Sequence, residues 1–208
     1  MDTIKLNIAI RFEDQLLDQM GELLTGLDER YEVKYIADNK NSIPHITLYQ
    51  NIFPAKKLKE IEQLLSDIAG NTSEFTLRFN RLIHNRSTIW AGFERTPELI
   101  SLHQRITEEV QPLRDGLVEE QFKEDHPVFL ALPEQKKEML AKWGHPYVMD
   151  AFDPHISLLK LVDRELVYVV LRRINWNLMK IPVEKIAIYK GGEEGICKEL
   201  LSEFDLQN

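Results

Sequence analysis

Two short segments, Pro44-His45-Ile46-Thr47-Leu48 and Pro154-His155-Ile156-Ser157-Leu158, agree at every position except a Thr-for-Ser exchange, and each leads through a connection into a helical pattern. An internal echo of this kind marks a repeated structural unit, here two lobes related by pseudo-symmetry. Both segments read as β-strands, whose alternate side chains share a face. His45, Thr47 and Tyr49 then point one way, with Ile46 and Leu48 opposite. In the second copy His155 and Ser157 share a face, with Ile156 and Leu158 opposite. If the polar faces turn toward a common cleft, two imidazoles and two hydroxyls converge on one small volume.

Outward from these segments the chain alternates strands and helices. Residues 4–12 place Ile4, Leu6, Ile8, Ile10 and Phe12 on one face of a half-buried strand, with Lys5, Asn7, Ala9 and Arg11 on the other. Helical stripes follow over 14–27 and 56–69, the second stopped by Gly70-Asn71. Residues 74–83 and 87–94 read as an antiparallel pair. A helix over 97–113 has Thr96 as cap and Pro97 in its first turn. After the second motif strand, 154–161, come a helix over 163–174 and strands 183–190 and 196–204, joined by Gly191-Gly192-Glu193-Glu194-Gly195. Several of the strand pairs are hairpin-like, so the prediction is an α+β fold with antiparallel sheet in one two-lobed domain over 1–208. Residues 115–150 break the rhythm. They are charged, carry Pro127, Pro133 and Pro146, hold one helical piece over 134–143 ended by Gly144, and read as an insertion or lid.

Composition narrows the function. The 208 residues are 43% hydrophobic, enough for a substantial core, and carry a formal net charge of −8. A long nucleic acid gripped along the whole surface is therefore excluded, because such binding depends on Lys and Arg. The single cysteine, Cys197, excludes an intrachain disulfide and a cysteine-built zinc site, and fits a reducing compartment. The amino-terminal residues run straight into a strand pattern with no signal-peptide signature, and the longest apolar run, residues 166–171, is too short to span a bilayer. A cytoplasmic location, no membrane contact and no protein partner are the expectations.

The convergent groups suit phosphodiester chemistry. A neutral imidazole takes a proton from a hydroxyl nucleophile while an imidazolium opposite it protonates the departing oxygen, so no metal or cofactor is called for. Thr47 and Ser157 would hold the phosphate through its non-bridging oxygens. One His-x-Thr alone reads as a polar strand edge; two copies in the same register make His45 and His155 the candidate catalytic pair. Tyr49, on the same face by alternation, is a candidate substrate contact, with simple packing as the rival reading. Lys160 shares the parity of Leu158 and is aimed away from the cleft. Asn7 and Arg11 either reach the cleft or face solvent. His84, His103, His126 and His145 have no metal-ligand spacing. Trp143, Tyr147 and Phe152 either cover a base or anchor the long segment.

The repeated P-H-I-T/S-L pattern resembles the His-x-Thr/Ser signature of the two-histidine (2H) phosphoesterase superfamily, which includes 2′-5′ RNA ligase-like proteins and cyclic nucleotide phosphodiesterases. The resemblance takes in the first strand and helix, both motifs and the closing I-A-I-Y-K hairpin. It implies two pseudo-symmetric lobes with helices outside and the active site between them. It also implies hydrolysis of a cyclic phosphate or phosphodiester in a small nucleotide, ribose phosphate or RNA end, with ligation as the reverse reaction. Residues 143–158, W-G-H-P-Y-V-M-D-A-F-D-P-H-I-S-L, are similar to the region before the second motif in a branch linked with phosphonate metabolism, where a residue other than proline commonly stands at the position of Pro154. The alternative to an enzyme is a binding module that holds cyclic nucleotides or RNA termini without chemistry.

Overall fold

Local chemistry sets most of the element boundaries. The computed structural model of the chain describes residues 2–192 and 195–208, so Glu193 and Glu194 of the glycine-rich turn lie outside the described residues. The elements run β1 (Thr3–Arg11), α1 (Asp14–Leu23), α2 (Leu27–Arg30), β2 (Val33–Ile36), β3 (Ile46–Pro54), α3 (Leu58–Ala69), β4 (Phe75–Asn85), β5 (Thr88–Phe93) and α4 (Pro97–Val110). They continue with α5 (Pro127–Leu130), α6 (Glu134–Trp143), β6 (His155–Leu161), α7 (Val167–Leu171), β7 (Lys180–Val183), β8 (Lys185–Gly191) and β9 (Cys197–Asp205). Thr96 caps α4 as expected, its hydroxyl accepting from the Leu99 N–H at 3.4 Å, with Pro97 behind it. Helix α6 stops at Gly144, which adopts φ 74°, and a Cβ there would collide with Asn51 and Arg114.

Some expectations fall short. The helix foreseen over 163–174 shrinks to the five residues of α7, where β-branched Val167, Val169 and Val170 disfavour helix and only Val167 and Val170 are buried. The first helix ends at Leu23, and Gly26, at φ 74°, redirects the chain into α2. Strands β2 and β7 were not foreseen, because four residues show no alternation; β7 carries Pro182, tolerated because β7 is an edge strand.

Among the described residues nine strands join in one sheet in the order β7-β4-β5-β6-β3-β1-β8-β9, with β2 alongside β6. Every ladder is antiparallel. One lobe is β3, β1, β8 and β9; the other is β7, β4, β5, β6 and β2. A single residue pair, Ile46 with Ile156, joins them. The fold is therefore α+β, with two pseudo-symmetric antiparallel lobes. Helices α3 and α4 back the first lobe and α7 packs on β5 of the second. Leu6, Ile8 and Ile10 are fully buried in the main core, each worth about 1.5–3 kcal/mol in area removed from water. The opposite face of β1 is covered as well, since Asn7 and Ala9 are 0% exposed; the strand is central, not half-buried. No helix among the described residues is long and apolar enough to cross a membrane.

Residues 115–150 carry a small cluster of their own, Phe122, Leu132 and Leu140, backed by Val118 and Phe129. The segment is tied to the first lobe by Lys5 Nζ on Glu119 Oε2 at 2.7 Å and by His145 against the Gln50 amide at 3.2 Å.

His103, on α4, is a buried clip. Its Nδ1–H donates to the Leu48 carbonyl at 2.7 Å, its Nε2 accepts the Met149 N–H at 2.8 Å, and its ring stacks on Phe152 at 3.9 Å. Burial above all pushes it from 6.5 down to about 4, and Arg95 pushes the same way. Burial likewise holds His145 at about 3. Above pH 6.5 both are neutral folded and unfolded, so folding is unaffected. Below it the unfolded chain takes up protons that the folded chain refuses, and stability falls by about 1.4 kcal/mol per pH unit for each histidine until the folded value is reached. Urea unfolding between pH 7.5 and 5 should show this loss, with a shallower slope in His103→Gln; a midpoint independent of pH contradicts it.

Candidate active site

Antiparallel pairing of Ile46 with Ile156 puts both isoleucines on the core side and both motifs' polar residues on the other. Continuing this register one residue each way sets His45 across from Ser157 and Thr47 across from His155. The two histidines are then diagonal neighbours, their backbones about 7–8 Å apart, and the charge of His155 acts on His45.

Each motif strand then bulges at the same place. Ile8 pairs with Tyr49 and Ala9 with Thr47, so Leu48 is the extra residue; Ile89 pairs with Leu159 and Trp90 with Ser157, so Leu158 is. A bulge takes a carbonyl out of the ladder, and that carbonyl needs another donor. Leu48 O accepts from His103 Nδ1 at 2.7 Å, and Leu158 O from the Ala37 N–H at 2.7 Å.

The bulges overturn two expectations based on regular alternation. Tyr49 is turned to the core side with Ile8; it is 1% exposed, and its hydroxyl donates to the Trp143 carbonyl at 2.7 Å. Burial pushes its phenol up to about 12. It clamps the end of α6 together with Asn51, whose amide donates to Gly144 O at 2.9 Å. Gln50 takes the cleft-side position, paired with Asn7. Lys160, the equivalent residue of the second lobe, pairs with Thr88 and so comes to the cleft side, opposite to its predicted direction.

The imidazoles are anchored alike. His45 Nδ1 donates to the Ile43 carbonyl and His155 Nδ1 to the Asp153 carbonyl, both at 2.7 Å. A carbonyl only accepts, so the neutral form of each ring carries its proton on Nδ1 and presents a bare Nε2. Burial lowers the proton affinity of both; for His45 the neighbouring His155 lowers it further, whereas for His155 the Asp153 backbone and carboxylate oppose the effect.

Around Nε2 the two differ. Asn7 Nδ2 lies 3.3 Å from His45 Nε2 and donates to Thr47 Oγ1 at 3.0 Å, which leaves the Thr47 hydroxyl hydrogen for another acceptor. Cys197 Sγ is 3.5 Å from the same Nε2; burial pushes its thiol up, so it keeps its proton. Tyr189 stands 6.0 Å from the His45 ring. His155 is only half-buried and stacks on Trp90 at 4.1 Å and 23°. Asn7 is thus on the cleft side. Arg11 is engaged by Glu203 at 2.6 Å and Asp14 at 3.0 Å. The environments of Asn7, Trp90 and Cys197 were not readable in advance, because they depend on which strands pair.

The other groups weighed lie apart from this cluster. His84 packs edge-on against Tyr168 at 4.8 Å, and His126 accepts from the Val128 N–H at 3.1 Å. Phe152 is a buried anchor and Tyr147 is exposed beside Lys136. Among the described residues no three His, Cys, Asp or Glu side chains gather as a metal site.

Known proteins place this architecture. Residues 19–195 match the model of the 2′-5′ RNA ligase superfamily, and the chain belongs to that superfamily of 2H phosphoesterases. Its fold is similar to Escherichia coli LigT complexed with ATP (16% identity, TM-score 0.58) and to LigT complexed with 3′-AMP (17%, 0.56), each likeness covering 100% of both chains. It is similar as well to TT0787 of Thermus thermophilus (16%, 0.58), over 99% of both chains. Among curated proteins none matches the chain in sequence.

If Tyr49 is a clamp, Tyr49→Phe should lower stability by about 1–3 kcal/mol, because the Trp143 carbonyl and the Asn51 amide each lose a partner. KM and kcat measured on the folded variant should stay at their wild-type values; a raised KM would put Tyr49 back among the substrate contacts.

Proposed function

We propose that this protein is a metal-independent phosphoesterase that opens a cyclic phosphate or cleaves a phosphodiester in a small nucleotide, ribose phosphate or RNA end. His45 and His155 are its acid/base pair, and Thr47 and Ser157 hold the phosphate. The observation that carries this reading is the matched anchoring of the two rings: each Nδ1 is tied to a main-chain carbonyl two residues back, and the antiparallel Ile46–Ile156 pair sets the two motifs side by side. A phosphorus between them meets a proton acceptor on one side and, with the second ring protonated, a proton donor on the other. Two hydroxyls then serve the non-bridging oxygens, where charge accumulates.

The ligands in the LigT complexes, ATP and 3′-AMP, favour a nucleotide over a lipid or phosphoprotein. The formal charge of −8 favours a small or terminal phosphate over a long polyanion. Residues 115–150, tied to the first lobe by Glu119 on Lys5 and His145 on Gln50, would bound the space for the rest of the substrate. Ligation is the reverse of the same displacement and uses the same groups.

The test is turnover in the presence of a chelator against 2′,3′-cyclic mononucleotides, ribose cyclic phosphates and 2′-5′ oligonucleotides. At least one class should be hydrolysed, with a bell-shaped kcat/KM profile centred on the acid side because burial lowers both histidines. His45→Ala and His155→Ala should each cost roughly 10²- to 10⁴-fold while remaining folded. Activity lost on chelation, or kept in either folded variant, refutes the mechanism; tight binding with no turnover would favour a sensor.

A further inference from the structure

We propose that Arg81, on the β4–β5 hairpin, forms a second anion subsite, which holds a further phosphate of the substrate one nucleotide away from the phosphorus that reacts at the histidine motifs. The inference rests on the phosphoesterase reading above and deepens it by naming the substrate class: a nucleotide that carries another phosphate besides the one attacked. That other phosphate is either a terminal 5′-phosphate or the next diester of an oligonucleotide, two sources of the same chemistry.

Sheet register puts Arg81 in line with the motifs. Arg81 pairs with Gly92 and Gly92 with His155, so the three stand in one row across β4, β5 and β6, on the face that carries the motif side chains. A bulge at Asn80 brings this about, because Phe79 pairs with Phe93 on the core side and Arg81 with Gly92 on the other. Strands lie about 4.8 Å apart, so the backbones of Arg81 and His155 are about 10 Å from each other. Strand β7 pairs with β4 only as far as Arg78, so at Arg81 the sheet ends and the residue is exposed.

The strand between Arg81 and His155 projects nothing into the row. Of the two β5 residues beside His155 on this face, Trp90 lies flat against the imidazole at 4.1 Å, and Gly92 has no side chain. Neither backbone nor packing requires this glycine. Its φ is outside the left-handed region, and a Cβ there would have Arg81 O at 3.4 Å and Ile83 Cδ1 at 3.6 Å as its nearest neighbours, both ordinary contacts. No atom of the Arg81 side chain comes as close, so the guanidinium is not folded back over Gly92 toward His155. It stands off from the reacting phosphorus and meets an anion one step further along the substrate.

Charge gives the row a direction. The chain as a whole holds 34 Asp and Glu against 26 Lys and Arg, yet residues 75–93, the whole β4–β5 hairpin, carry Arg78, Arg81 and Arg86 and no Asp or Glu. At the first-lobe end the row continues from Thr47 through Ala9 and Ala187 to Glu203, a carboxylate taken up by Arg11. Among the described residues no hydrogen bond or ion pair engages the Arg81 guanidinium. A planar fork of donors with no protein partner suits a phosphate, which it can grip through two charge-assisted hydrogen bonds. An additional phosphate is thus drawn toward the second lobe rather than the first.

Three substrates carry the kinetic test: adenosine 2′,3′-cyclic phosphate with a free 5′-hydroxyl, its 5′-phosphorylated form, and a dinucleotide ending in the same cyclic phosphate. The wild-type protein should act on at least one of the last two with a KM about tenfold below that for the first, and whichever is favoured tells terminal phosphate from diester. Arg81→Gln should raise that KM about tenfold with kcat unchanged and leave the 5′-hydroxyl substrate unaffected, while Arg81→Lys should keep part of the preference. Calorimetry with 3′-AMP and adenosine 3′,5′-bisphosphate repeats the comparison without turnover. The bisphosphate should bind about tenfold more tightly, and Arg81→Gln should remove the difference. No preference of the wild-type protein for the bisphosphate, a preference that survives in Arg81→Gln, or an equal loss on all three substrates overturns the subsite. A wild-type protein that is inactive on all three but still binds the bisphosphate through Arg81 keeps the subsite and fails the phosphoesterase reading.

Discussion

Among the described residues one pair, Ile46 with Ile156, is the only strand pairing between the two lobes of the sheet, and it sets the two histidine motifs side by side. Because the pair is antiparallel, the order of histidine and hydroxyl is inverted from one strand to the other, and each histidine stands across from the other motif's hydroxyl. Because both isoleucines are fully buried, the register has no freedom to slip: a one-residue shift would turn both imidazoles into the core. The flanking leucines complete the constraint. Leu48 and Leu158 bulge at matching positions, and each displaced carbonyl is captured, by His103 in one lobe and by Ala37 in the other. Bulges increase local twist and re-aim the residues beyond them, which turns Tyr49 to the core and brings Gln50 to the face of Asn7.

Pseudo-symmetry of the backbone is combined with asymmetry of the lining. Equivalent positions carry Ala9 and Trp90 beside the hydroxyls, Asn7 and Thr88 one step further on, and Gln50 and Lys160 beyond the bulges. The repeated backbone delivers two identical imidazoles to one point. Their neighbours are unequal, and the proposed chemistry would need such a difference to separate an acid from a base. His45 is buried, and His155 is half-buried.

Much of this was legible in the residues, and the parts that were not have identifiable causes. The echo of P-H-I-T/S-L, the cap at Thr96 and the stop at Gly144 are local signals, and the structure follows them. The side chosen by Tyr49 and Lys160 is not local. A leucine in a bulge looks the same in sequence as a leucine in a regular strand, and only the pairing partner decides which it is. Asn7 looks in sequence like an ordinary polar residue on an exposed face, whereas in the fold it is fully buried and bonded to the side chains of His45 and Thr47 across the β1–β3 ladder. Strands as short as β2 and β7 carry too few residues for a period to show, and in α7 the valines work against a helix that a longer stripe would have supported.

Both motifs acting on one phosphorus is the condition on which the proposed chemistry stands, and a crystal structure with bound orthovanadate, a stand-in for the five-coordinate phosphorus, would show it. One vanadate should lie between the lobes, with the Nε2 atoms of His45 and His155 each within hydrogen-bonding distance of opposite apical oxygens and the hydroxyls of Thr47 and Ser157 on equatorial ones. Vanadate held by one histidine alone, or bound away from the Ile46–Ile156 joint, would contradict it.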